Sequence, residues 1–239
     1  MKRMFQCMNI RGIYKTSFLD YPGKICAVLF SGGCNLRCRF CHNPDLACNS
    51  QDLDSFSNEE ALAFLKKRQH LIDGVTISGG EPTLAENLED FLGDLRDLDL
   101  LVKLDTNGFR PERVKTLLAD ELVDYVALDI KTSPEKYDTV AGCSVSFDDV
   151  ATTVEYLKSA KAEYELRTTC VPGYVTADDF RAIGTVLGRV SSYYLQQYVA
   201  SVPLLDPSWE EITPYSIDKL YEFQHIVSTF SDRCQIRGI

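Results

Sequence analysis

The chain alternates short apolar or β-branched runs with longer amphipathic stretches, each pair spanning about 25–40 residues. The runs predict strands over residues 25–31, 74–78, 101–106, 125–130, 164–170 and 193–198. Patterns of helical period predict helices over 58–69, 85–98, 111–119, 147–159, 177–188 and 216–230. Ser57 or Asn58 ahead of Glu59-Glu60, and Thr176 ahead of Asp178-Asp179, supply the capping chemistry such starts need. Most strand runs are unbroken, as in Ala27-Val28-Leu29-Phe30 and Val126-Ala127-Leu128. Parallel strands covered by helices on one side and enclosing a filled interior on the other have this pattern.

The repetition predicts an α/β fold with parallel strands. A closed barrel of this kind takes eight strand–helix units and six are legible, so a partial (β/α)6 TIM-like barrel or an open doubly wound sheet fits. In both, ligands sit at the C-terminal edge of the strands, and functional residues should follow strands. The 239 residues suit a single domain, read as a 1–24 N-terminal segment, a 25–200 barrel core and a 201–239 C-terminal loop and helix.

Composition adds exclusions. At 45% hydrophobic and 25% charged the chain is ordinary for a globular protein. Its formal net charge of −10, without clustered Lys and Arg, offers nothing to a phosphate backbone, so nucleic acid is not an expected partner. No apolar run approaches the roughly 18 residues of a membrane span, and the basic N-terminus lacks the apolar stretch of a secretory signal. A cytoplasmic location without membrane contact is expected. Met4 and Met8 read as alternative starts, with the first seven residues expected to be dispensable.

Nine cysteines in a reducing compartment suggest metal or redox chemistry wherever they cluster. Cys7, Cys26, Cys48, Cys143, Cys170 and Cys234 are scattered and read as small buried hydrophobes. Cys34, Cys38 and Cys41 follow the first strand directly in a C-x3-C-x2-C loop. Three thiolates on one loop hold three corners of a [4Fe–4S] cubane and leave one iron open, as catalysis requires. Zinc competes, with His42 completing a Cys3His set, although zinc ligands usually come as separated pairs and His42 immediately follows Cys41. Spacing alone leaves both open.

Other strand ends carry Ser78-Gly79-Gly80-Glu81-Pro82, Leu104-Asp105-Thr106-Asn107-Gly108, Leu128-Asp129-Ile130-Lys131 and Arg167-Thr168-Thr169-Cys170-Val171-Pro172-Gly173. Singly these are ordinary turns and strand ends. Glycines at 79 and 80 let the backbone approach a ligand. Asp129 and Lys131 share one side of a strand and suit an amino-acid zwitterion. Arg167 is equally able to bind a carboxylate or to pair with an acid such as Asp129.

Taken together, these motifs resemble the radical S-adenosylmethionine (SAM) superfamily. The resemblance implies that SAM's amino and carboxylate groups bind the open iron, and that an electron from the cluster breaks the carbon–sulfur bond to give a 5′-deoxyadenosyl radical. It implies SAM-binding roles for Gly79, Gly80, Glu81, Asp105, Asn107, Asp129, Lys131 and Arg167, with a monovalent cation beside them in some members. Phe40 and Cys41-His42-Asn43-Pro44 resemble the loop of glycyl-radical-enzyme activases, where the aromatic packs on adenine and His42 joins the cofactor site. Where better-known activases carry a histidine on the sixth strand this chain has Val199, and Gln197 is the expected substitute in the adenine pocket.

The segment Gly12-Ile13-Tyr14-Lys15-Thr16-Ser17-Phe18-Leu19-Asp20-Tyr21-Pro22-Gly23 is by itself a loop ending in a Tyr-Pro-Gly turn. It is similar to the corresponding segment of activating proteins of anaerobic ribonucleoside-triphosphate reductase, which implies a substrate contact for Asp20. The C-terminal third holds no second cysteine cluster, and an external flavodoxin or ferredoxin is the expected electron donor. The single tryptophan, Trp209, reads as a core residue or a partner-docking one. Two other readings stay open: a small-molecule radical SAM enzyme of the 7-carboxy-7-deazaguanine synthase type, and a non-catalytic zinc-binding interaction domain.

Overall fold

The computed structural model describes residues 8–200 and 203–239. One eight-stranded sheet runs in sequence order through β1 (Ile10–Ser17), β2 (Cys26–Ser31), β3 (Gly74–Gly79), β4 (Leu101–Thr106), β5 (Tyr125–Asp129), β6 (Glu163–Cys170), β7 (Val190–Gln197) and β8 (Ser231–Arg237). From β2 to β8 every pairing is parallel, while β1 lies antiparallel on β2. The helices are α1 (Pro44–Ala47), α2 (Asn58–Lys66), α3 (Leu88–Arg96), α4 (Pro111–Ala119), α5 (Tyr137–Ala141), α6 (Phe147–Ser159), α7 (Ala177–Leu187) and α8 (Ile217–Val227).

The six predicted strands are β2 to β7, and the partial parallel barrel stands. Both flanks differ from expectation. The segment expected to be a loop from Gly12 carries most of β1, because Ile10 and Ile13 pack into the apolar shell while the strand borrows its backbone bonds from β2. β8 has no apolar run at all; its Ser-Asp-Arg-Cys-Gln-Ile-Arg sequence is a strand only because it pairs with β7 from Val190 to Gln196. Six helices stand at predicted positions, some shortened at their ends. Two starts close as full capping boxes, Ser57 with Glu60 and Thr176 with Asp179.

Strand periodicity divides the molecule into two kinds of interior. Outward-facing Leu29, Ile77, Leu104, Leu128, Leu166 and Leu195 join Leu65, Phe91, Val114, Val154, Ile183 and Phe223 from the helices in one continuous apolar shell. Each such side chain contributes about 1.5–3 kcal/mol by leaving water. Inside the barrel, Tyr21, Cys26, Val28 and Tyr125 form an apolar plug, at the end where β2 and β5 begin. Above the plug the inner wall is ionic, with Lys103, Asp105, Asp129, Glu165 and Arg167 on successive strands. The filled interior predicted from the strand pattern is therefore filled largely by paired charges.

One pair ties β8 into this wall. Glu165 accepts from Nη1 and Nη2 of Arg237 at 2.7 and 2.8 Å and from the Tyr125 hydroxyl at 2.9 Å. The Arg237 guanidinium also lies 3.4 Å from the ring centroid of Tyr194. Because Glu165 is fully buried, losing its arginine strands a carboxylate away from water.

Of the scattered cysteines, Cys26 and Cys170 are buried as expected, Cys143 and Cys234 are half-buried, and Cys48 is exposed, contrary to the buried-hydrophobe reading. Cys48 directly follows the short α1, whose only buried residue is Ala47. Cys7 and the possible starts before Met8 lie outside the described residues. Among those residues no helix is long and apolar enough to cross a membrane.

Replacing Arg237 with Met is expected to lower folding stability by about 3 kcal/mol, read as a fall in the anaerobic unfolding midpoint. The double variant E165Q/R237M is expected to recover much of that loss. An unchanged midpoint in R237M would show that the pair does not seat β8.

Candidate active site

The cysteine loop leaves β2 through Gly32 and Gly33 and is held from four directions by backbone bonds. Gly33 and Cys34 donate to the Leu46 and Ala47 carbonyls of α1 at 2.7 and 3.2 Å, and Arg37 donates to Ala141 of α5 at 2.7 Å. Leu205 and Asp206 donate to Cys41 and Arg39 at 3.3 and 3.0 Å. From β3, Gly80 donates to Ser31 at 2.9 Å and Glu81 to Gly33 at 2.8 Å. A Cβ on Gly79 would lie 2.4 Å from the Ser31 oxygen and one on Gly80 2.0 Å from the Gly33 oxygen. The two glycines are thus required where β3 meets the cysteine loop, a tighter constraint than approach to a ligand alone.

This loop roofs a cavity of about 260 Å³ at the C-terminal edge of the strands. Cys34, Cys38 and Cys41 line it, and so do Phe40, His42, Gly79, Gly80, Glu81, Asp105, Asn107, Asp129, Lys131 and Arg167. Thirteen of the fifteen residues singled out from sequence therefore meet at one place. Ser78, Thr169, Gln196 and Leu205 line it too and were not singled out.

The cavity floor is an ion-pair chain. Arg167 donates through Nε to Asp129 at 2.7 Å and lies through Nη1 3.5 Å from Asp105. Lys131 Nζ holds the other Asp129 oxygen at 3.1 Å, while Lys103 and Ser78 hold Asp105, Ser78 at 2.9 Å. Of the two sequence readings for Arg167, the structure displays the pairing one. Burial alone would raise both carboxyls, but Arg167 with Lys131 holds Asp129, and Arg167 with Lys103 holds Asp105, below the usual carboxylate range. Burial would likewise lower Lys131, yet Asp129 keeps it above the usual lysine range. Asp105, Asp129, Lys131 and Arg167 are therefore charged at neutral pH, and the wall presents both signs side by side.

Glu81 has a different position from the one its motif suggests. Its Oε1 accepts from Thr83 N, Thr83 Oγ1 and Thr106 Oγ1, and its Oε2 accepts from Asn107 N at 2.7 Å. Burial raises its pKa against those four donors. The carboxylate ties the end of β3 to the end of β4.

The remaining predicted residues divide. Phe40 is buried, with its ring 6.0 Å from that of Tyr174, which stacks on Trp209 at 4.3 Å. Trp209 is thereby part of the packing behind the cysteine loop. His42 stacks on Tyr198 at 6.3 Å, with Nε2 3.1 Å from the Val199 carbonyl. Gln197 does not line the cavity; its Nε2 donates to the Tyr215 carbonyl at 2.7 Å. Extending strand alternation as far as residue 199 fails because β7 ends at Gln197, and Gln196, paired with Thr169, takes the inward position. Asp20 is also absent from the cavity wall: its carbonyl accepts from Thr76 Oγ1 at 3.2 Å, in the turn that carries Tyr21 into the apolar plug.

The donor set fits an iron–sulfur cubane. Among the described residues no three or more His, Cys, Asp or Glu side chains gather around a single ion position. A tetrahedral zinc needs four donors within about 2.3 Å of one point, whereas a cubane takes each cysteine on a different iron. Burial pushes the Cys38 thiol up to about 12 and raises Cys34.

Comparison with known proteins agrees. The sequence profile of the Radical SAM superfamily matches residues 28–183. A protein of Methanocaldococcus jannaschii named for glycyl-radical-enzyme activation is 28% identical over 238 residues, covering 96% of both chains. The pyruvate formate-lyase-activating enzyme of Streptococcus mutans is 33% identical over 84% of this chain and 80% of its own. Among solved structures, Streptococcus suis SuiB bound to its precursor peptide superposes with a TM-score of 0.66 at 15% identity, over 88% of this chain and about half (48%) of SuiB. Escherichia coli QueE superposes with a TM-score of 0.55 at 12% identity, over 97% of this chain and 94% of QueE. These two likenesses concern the fold. The chain belongs to the radical SAM superfamily, is homologous to glycyl-radical-enzyme activating enzymes, and uses a [4Fe–4S] cluster and SAM as cofactors.

Proposed function

We propose that this radical SAM enzyme is an activase that removes a Cα hydrogen from a glycine of a partner glycyl radical enzyme, and that the partner is an anaerobic ribonucleoside-triphosphate reductase. The observation that carries the activase reading is the end-to-end match to activating enzymes, including one at 33% identity over most of both chains. The finer choice of partner rests on the Gly12–Gly23 segment. Asp20 lies in the turn beneath the barrel floor, so the segment supports that choice by likeness, and a substrate contact for Asp20 is not part of the proposal.

Bound in the cavity, the reduced cluster and SAM supply the carbon radical that takes the hydrogen. The residues of the chain hold and shield. Cys34, Cys38 and Cys41 hold the cluster. Lys131 and Arg167 would hold SAM's carboxylate, and Asp129 and Asp105 its amino group or a monovalent cation. Because the four are already paired with one another, their orientation is set before SAM arrives, which spares the ordering cost of binding. Phe40 stands in the wall for the adenine, with Gln196 in place of the predicted Gln197. The chain acts as one domain in the cytoplasm, with a flavodoxin or ferredoxin delivering the electron.

The Asp129→Asn variant is expected to bind SAM about 10- to 100-fold more weakly, the scale of a charge-assisted hydrogen bond. Titrating SAM against the EPR signal of the reduced cluster measures this; unchanged affinity would remove Asp129 from the site.

The function itself is tested by anaerobic incubation of reconstituted protein with SAM, reductant and an anaerobic ribonucleotide reductase. A glycyl-radical doublet on the reductase is expected. SAM cleavage without a doublet on that or any other glycyl radical enzyme would reject activation and favour a small-molecule substrate.

A further inference from the structure

The three cysteine sulfurs have unequal surroundings. Cys34 Sγ accepts from the Leu36 backbone N–H at 3.4 Å and from Asn107 Nδ2 at 3.8 Å. Among the described residues neither Cys38 nor Cys41 sulfur receives such a bond. Leu36 belongs to the cysteine loop itself, but Asn107 comes from the end of β4, 73 residues away.

Asn107 is held so that its amide nitrogen has one direction to point. It is buried, and its backbone N–H is fixed by Glu81 Oε2 at 2.7 Å. Its Oδ1 accepts from the Phe109 backbone N–H at 3.2 Å, so the oxygen end is committed and Nδ2 must face the loop. There it donates to Asn35 Oδ1 at 2.8 Å and reaches Cys34 Sγ. The orientation of the amide follows from acceptor and donor chemistry at both ends.

A hydrogen-bond donor on a cluster thiolate stabilises the more negative, reduced state and raises the reduction potential. We propose that Asn107 is a positioning residue that acts through the Cys34 sulfur to raise the potential of the cluster, with Glu81 as the buttress that keeps its amide in place. The Glu81 of the Gly-Gly-Glu motif then serves the cluster through Asn107, its carboxylate accepting four hydrogen bonds from Thr83, Thr106 and Asn107. In a site whose reductant must deliver an electron at low potential, this donor makes the electron easier to accept. The inference rests on the cluster assignment and is independent of which glycine, if any, the enzyme activates.

The experiment is an EPR-monitored potentiometric titration of the SAM-free, reconstituted protein. Asn107→Ala removes the donor without adding charge and is expected to cut the reduced-to-oxidised ratio at a fixed potential about tenfold, a fall of about 59 mV for a one-electron couple. Asn107→Asp keeps the acceptor for Phe109 and adds negative charge, and should fall further. Asn35→Ala removes the competing acceptor but leaves the Asn107 amide on the sulfur, so its potential should not fall. A purely structural Asn107 predicts that iron content and unfolding midpoint change while the potential of the cluster-loaded fraction stays at the wild-type value, and that result would overturn the proposal. The wild-type protein gives a second readout that needs no variant: with asparagine labelled by 15N in its side chain, the reduced cluster should show a hyperfine coupling to 15N. Its absence would equally overturn the assignment.

Discussion

Arg167 sits between two half-buried carboxylates, and the rest of the inner barrel is arranged around that fact. A guanidinium inside a sheet is tolerable only where acids meet it, and Asp105 and Asp129 do so from β4 and β5. Their remaining oxygens then require Lys103, Ser78 and Lys131. An inner wall of this kind contributes little net stability, since desolvation offsets most of the attraction. Stability comes from the apolar shell between strands and helices, which leaves the inner face free to be polar. The division of labour follows from strand periodicity: one set of alternate residues packs the helices and the other lines the cavity.

That division also explains what could be read from the chain in advance. The outward residues are continuous with β-branched and leucine-rich runs, so β2 to β7 and most helices were legible. β1 and β8 were not, because each is made by pairing with a neighbour and neither is a buried run. In the site, residues immediately following strands were found by motif. The miss at Gln197 came from carrying the two-residue alternation past the end of β7. Lys103 and Gln196 carry no motif of their own; the signal that locates them is register, since Thr169 pairs with Gln196 and Lys103 with Tyr125.

Three motif residues changed meaning once their contacts were visible. Gly79 and Gly80 are set by the close approach of β3 to the cysteine loop, and Glu81 by its four hydrogen bonds to the ends of β3 and β4. All three make the mount of the cysteine loop rigid. The same loop is held by α1, α5 and the Leu205–Asp206 segment, so four separate parts of the chain fix the three sulfurs. A preorganised ligand set of this sort is what a metal centre with an open position requires.

In the proposed site Cys34, Cys38 and Cys41 carry a cubane with one iron open to SAM. EPR of the anaerobically reconstituted and reduced protein, recorded before and after SAM is added, tests it most directly. A reduced [4Fe–4S] signal whose shape changes when SAM binds is expected, with loss of that signal when any one of the three cysteines is replaced by alanine. A protein that takes up zinc stoichiometrically, or a cluster signal indifferent to SAM, would contradict it.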